Sequence, residues 1–68
     1  MSAEAVAEAL RELGIRAAAR RYAVAFEPPE GMDPQEVLAM LERRGLRVRL
    51  AGCRWEGPYY RCYLQPLA

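Results

Sequence analysis

The chain has 68 residues, with ten basic residues against nine acidic ones for a formal net charge of +1, two cysteines and no histidine. That length allows a single domain, 1–68, with one modest core, because a chain of this size buries only about 60% of the surface that its unfolded form exposes. Two cysteines without histidine exclude a disulfide-dense scaffold and leave too few soft ligands for a structural zinc within one chain, so neither a metal nor a cofactor is expected.

Every basic residue is arginine, and Lys, Asn, Thr and His are absent. This composition is that of a GC-rich bacterial genome and fits a thermophile, where ion-pair networks become less costly with temperature. No stretch reads as a signal peptide or a membrane span. The expectation is therefore a soluble cytoplasmic protein with reduced thiols and no membrane partner. A core this small rarely supplies more than about 3–5 kcal/mol net, which makes self-association the natural supplement and a homodimer the expected state. The charge is unevenly spread. Residues 1–42 carry four Arg against eight acids, and residues 43–68 carry six Arg against Glu56 alone, a balance of −4 against +5.

In chain order, residues 2–13 form an amphipathic helix pattern, with Ser2 as N-cap, Val6, Ala9, Leu10 and Leu13 on one side, and Gly14 as the stop. Residues 15–21 give conflicting signals and read as a short extended or turn segment. From Tyr22 to Glu27, bulky Tyr22, Val24 and Phe26 alternate with Ala23 and Ala25, a strand ended by Pro28 and Pro29. Asp33 and Pro34 then open a second helix over 33–44, whose stripe is Val37, Leu38 and Leu41 and whose end is Arg43, Arg44 and Gly45. Leu46, Val48 and Leu50 alternate with Arg47 and Arg49 in the following strand. Gly52 to Pro58 reads as a hairpin loop, and Tyr59 to Gln65 as the last strand. Pairing residue 51 with 59 places Leu46, Val48, Leu50, Tyr60, Cys62 and Leu64 on the core face and Arg47, Arg49, Tyr59, Arg61 and Tyr63 on the other.

A faint internal echo runs through this order. E-L-G-I-R at 12–16 resembles R-R-G-L-R at 43–47, and Y-A-V-A-F-E-P at 22–28 resembles Y-R-C-Y-L-Q-P at 60–66. If real, it makes two helix-hairpin units and adds a strand near 15–19.

The expected fold is α+β, helix-strand-helix-strand-strand, with a small mixed sheet of three strands, or four with the echo, and both helices packed on one face. The strand-helix-strand unit should cross over between parallel neighbours. In outline this resembles half of a ferredoxin-like fold, which carries no function by itself.

The candidate binding residues are Arg47, Arg49, Arg61, Tyr59 and Tyr63 on the outer hairpin face, with Arg54 and Trp55 at its tip. Guanidinium groups that neutralise phosphates beside aromatic rings that stack bases are the ingredients of nucleic-acid binding. The same residues also suit an ordinary solvent face of Arg-over-Tyr pairs or a protein interface. Trp55 reads as a lid over the core or as an anchor for a partner, with the lid slightly favoured. Cys53 reads as inert, since no histidine can act as its base and Cys62 should point into the core. Catalysis would need carboxylates in a concave pocket, which so short a chain hardly encloses. No small-molecule substrate is evident. The expectation is a non-enzymatic interaction module that self-associates through its sheet face or edge, with nucleic-acid binding as the alternative.

Overall fold

The computed structural model describes residues 2–67. Six elements follow one another: α1 (Ala3–Glu12), β1 (Ala17–Ala19), β2 (Val24–Phe26), α2 (Pro34–Arg43), β3 (Val48–Glu56) and β4 (Tyr59–Pro66). Both helices start where short polar side chains can accept from free amides. Ser2 Oγ accepts from Ala5 N at 3.1 Å, and Asp33 Oδ1 from Gln35 N at 2.8 Å. Both helices also end alike. Gly14 and Gly45 take φ of 82° and 83°, Ile15 N donates to Leu10 O, and Leu46 N donates to Leu41 O.

The strands form one four-stranded sheet in the order β1-β2-β4-β3. Every neighbouring pair is antiparallel, so the sheet is not mixed. β2 and β3 do run in the same direction, but β4 lies between them, which makes the crossover through α2 a split one. The domain is thus two helix-hairpin units, as the internal echo implies, rather than half of a ferredoxin-like fold. The central pairing is reciprocal: Val24 faces Leu64, Ala25 faces Tyr63 and Phe26 faces Cys62. With a repeat offset of 38 residues these three pairs map onto themselves, so a pseudo-two-fold axis passes between Ala25 and Tyr63.

The core lies between the two helices and one face of the sheet. Val6, Ala7 and Leu10 of α1 and Val37 and Leu41 of α2 are fully buried against Val24, Phe26, Cys62 and Leu64. Two aromatic expectations fail. Tyr22 is 75% exposed because the chain bends at 21–22 before β2 begins. Tyr60 is 38% exposed because it lies beyond the helices, near the end of the β3–β4 hairpin.

That hairpin departs most from the reading of the sequence. Residues 52–58, which read as a loop, are mostly strand, and the connection is only Gly57–Pro58. Arg49 accordingly faces Gln65 rather than Arg61. A register shift between Leu50 and Gly52 marks a β-bulge at Ala51. One extra residue inverts the alternation of side chains, so 48 and 50 share the core side with 53 and 55, while 49 shares the open side with 52, 54 and 56.

Candidate binding face of the sheet

The side of the sheet away from the helices is uncovered, and the register decides what it carries. From edge to edge, one row reads Ala18, Ala25, Tyr63 and Gly52. Stepping two residues toward the β3–β4 turn gives Arg16, Glu27, Arg61 and Arg54, where Glu27 N donates to Arg16 O at 3.0 Å. Stepping the other way gives Arg20, Ala23, Gln65 and Arg49, where Arg20 N donates to Ala23 O at 2.7 Å. Arg47, whose carbonyl accepts from Leu67 N at 2.9 Å, extends the β3 column. Six arginines, at 16, 20, 47, 49, 54 and 61, therefore share this side with Glu27 and Glu56. Most other acids lie on the helices that cover the opposite side, so the molecule is electrically two-sided.

The middle of the face is low because its side chains are small. Ala25 is 4% exposed, and with Ala18 it floors a shallow hollow of about 150 Å³ rimmed by Arg16, Arg20, Glu27 and Arg61. A second hollow, of about 370 Å³, lies over the bulge among Ala51, Gly52, Cys53, Arg54 and Tyr63. Tyr63 separates the two.

At the turn end, charge is concentrated on one acid. Glu56 accepts from Arg54 Nε at 2.8 Å, from Arg61 Nη1 at 3.0 Å and from the Tyr63 hydroxyl. The Tyr63 hydrogen bond first, then those of Arg54 and Arg61, hold its carboxyl down at about 2, below the usual 4.5. Glu56 in turn raises the pKa of both guanidinium groups. Arg54 lies over the Tyr63 ring at 5.5 Å and Arg61 over the Tyr59 ring at 5.3 Å, both within cation–π range. Arg49 donates to Gln65 Oε1 on the neighbouring strand.

Of the seven residues singled out in the sequence, six stand on this face: Arg47, Arg49, Arg54, Tyr59, Arg61 and Tyr63. Trp55 does not. The bulge turns it to the helix side, where it packs against Tyr60 with ring centroids 5.2 Å apart. At 70% exposure it is no lid over the core. With Tyr60 it borders an open groove completed by Pro28, Pro29, Gly31 and Met32.

Four charged residues of the face escape the hairpin-only reading. Arg16, Arg20 and Glu27 reach it because residues 17–19 form β1 and pair with β2, which the internal echo signals. Glu56 reaches it because strand β3 continues past Gly52.

The cysteines are also a correction. Cys53 and Cys62 face one another across β3 and β4, with Cα atoms 3.9 Å apart, and are joined by a disulfide. The expectation of reduced thiols with Cys62 beyond reach of Cys53 fails because the two-residue turn sets residue 53 opposite 62. No helix among the described residues is long and apolar enough to cross a membrane, and no cluster among them could hold a metal ion. No protein-family model, no curated protein and no solved structure matches the chain.

Proposed function

We propose that the protein is a small non-enzymatic binding module that takes a nucleic-acid strand on the open face of its sheet. The observation that carries this reading is the gathering of six arginines, on or flanking three strands, around a floor of Ala18, Ala25 and Gly52. Low side chains let a strand approach the sheet, where guanidinium groups on the rim meet its phosphates and the Tyr59 and Tyr63 rings offer bases a surface to stack on, the combination of charge and aromatic rings that single-strand binders use. Binding rather than catalysis is favoured by Glu56, the most perturbed acid. Its pKa of about 2 makes it a fixed negative partner for Arg54 and Arg61 and a poor proton carrier at neutral pH.

Self-association through this face is the weaker reading. A two-fold contact would set the same positive patch against itself, and like-charge juxtaposition across an interface costs several kcal/mol. A dimer through the edge keeps one specific support, since β3 is a nine-residue outer strand with Trp55 exposed beside its free side. The bulge at Ala51 interrupts that edge, so pairing would run over 53–56. Sedimentation at micromolar concentration separates the two readings: a monomer removes the dimer, and a dimer dissociated by Trp55→Ala establishes the edge contact. For the first reading, titration with a fluorescent oligothymidylate should show binding at low salt that weakens as salt rises. Undetectable binding, or binding indifferent to salt, refutes it, because release of condensed counterions imposes that dependence.

A further inference from the structure

We propose that the Cys53–Cys62 disulfide is a reversible redox latch on the turn end of the β3–β4 hairpin, setting whether Arg54 and Arg61 are held in the open face. The proposal rests on the reading of that face as a polyanion site.

Beyond the cysteine pair, the hairpin has no third strand. β2 pairs with β4 only over 62–64, so the pairs Trp55/Tyr60 and Glu56/Tyr59 have no third strand beside them, and Arg54/Arg61 has only Glu27, just past the end of β2. A two-stranded ribbon is marginally stable in water by itself. This one is further weakened by two arginines directly opposite each other, an arrangement that destabilises a cross-strand pair. Its apolar contact is also poorly buried, with Trp55 and Tyr60 at 70% and 38% exposure. Two features oppose fraying. Glu56 lies between the arginines and bonds to both. The disulfide closes the base of the ribbon, where the supported part of the sheet ends.

The same placement makes the bond addressable. Cys62 is fully buried on the inner strand, whereas Cys53 is partly exposed on the outermost strand. A reductant therefore approaches the Cys53 sulfur from the free edge. With a dithiol as reductant, one thiolate attacks Cys53 Sγ. The S–S bond breaks with its electron pair passing to Cys62 Sγ, which takes up a proton. The second thiol of the reductant, as thiolate, then attacks the mixed disulfide and releases Cys53, which is protonated in turn. The protein gains two electrons and two protons as two thiols, and the dithiol leaves as its own disulfide. An oxidised dithiol reverses the sequence.

Reduction leaves the ribbon held by Glu56 and the Arg54–Tyr63 contact alone, and the six-arginine face loses its hold on two members. Amide hydrogen exchange on the whole protein without ligand, oxidised and then reduced with dithiothreitol, tests the latch. The expected result is exchange faster by about tenfold or more over 54–61 with 24–26 and 63–64 still protected, the signature of local opening. Equal exchange over 54–61 in both states overturns the proposal. So does loss of protection throughout, which would make the bond a cross-link of the whole domain. Cys53→Ser should match the reduced protein whether or not dithiothreitol is present, and a redox response in that variant also overturns it. In parallel, oligothymidylate binding to the reduced form should lose about 1.4 from its salt slope, the share of two arginines at about 0.7 each on a single strand. If the oxidised protein does not bind the oligonucleotide at all, the polyanion reading fails while hydrogen exchange still decides the latch.

Discussion

Glu56 holds a position that its neighbours make costly to change. Two guanidinium groups and a phenol converge on one carboxylate, and all three are also candidate ligand contacts. In the free protein Glu56 therefore occupies the place that a phosphate would take. Its folded pKa of about 2 lies below the ordinary 4.5, so its contribution to stability is complete above the ordinary value and is lost as pH falls toward 2. Thermal unfolding followed from pH 6 to pH 2 should show a decline below about pH 4.5 that is smaller in Glu56→Gln. A decline of the same size in both proteins would mean that other acids account for it. Tyr63→Phe removes the largest single cause of the shift and should move the carboxyl back toward its usual range, as a carbon-detected NMR titration of Glu56 would read. Glu56→Gln also frees Arg54 and Arg61 for an external anion. Oligonucleotide binding at neutral pH should tighten several-fold, since each guanidinium group no longer has to leave a charged partner. Weaker binding in this variant would show that the carboxylate orders the two arginines rather than competing for them.

Among the elements, the two helix ends show how closely the halves of the chain match. Gly14 and Gly45 adopt nearly the same positive φ, and each is followed by an apolar residue whose amide donates back to a leucine carbonyl five residues earlier. A Cβ at either glycine meets no other atom within 4 Å, so substitution tests conformation alone. Gly14→Ala and Gly45→Ala should each cost about 1 kcal/mol in chemical denaturation, within error of one another, because only the positive φ is penalised. Unequal costs would show that the caps are similar in geometry but not in load. Both helices, their caps and the α+β class are legible in the sequence because caps and apolar stripes are local signals. β1 is less so: its residues are all alanine, which favours helix, and tertiary pairing with β2 overrides that preference. The hairpin is not legible at Gly52. Taken as a turn residue it makes a seven-residue loop, whereas it belongs to a bulge. The clue was a change of phase, since apolar side chains fall on 46, 48 and 50 and then on 53 and 55. A turn at Gly57–Pro58 alone sets residue 53 opposite 62, because both pairs sum to 115. The disulfide and the position of Trp55 follow from that single shift.

At the scale of the molecule, the pseudo-two-fold axis explains why the candidate site is larger than a hairpin. It passes between Ala25 and Tyr63, at the centre of the open face, and relates β1 on one side to β3 on the other. Each half therefore contributes an arginine-bearing outer strand: Arg16 and Arg20 from the first, Arg47, Arg49 and Arg54 from the second, with Arg61 on the inner strand between them. The hairpin half is recognisable from its own alternation of arginine and tyrosine. The β1 half is not, because no local pattern announces that Arg16 and Arg20 flank one short strand, and only the sheet order brings them beside Arg61. If the face binds as a unit, its two halves should count equally in the electrostatics although only one contains aromatic rings. Each arginine whose phosphate contact is lost lowers the slope of log affinity against log salt by about 0.7 for a single strand. Arg16→Ala with Arg20→Ala should therefore reduce the slope by about 1.4, and Arg47→Ala with Arg49→Ala by the same amount. The four-residue variant should fall by about 2.8, because guanidinium groups on opposite edges do not share a partner. A strand that contacts only the hairpin would leave the first pair without effect. That outcome would confine the site to β3 and β4 and leave the symmetry as a property of the fold alone.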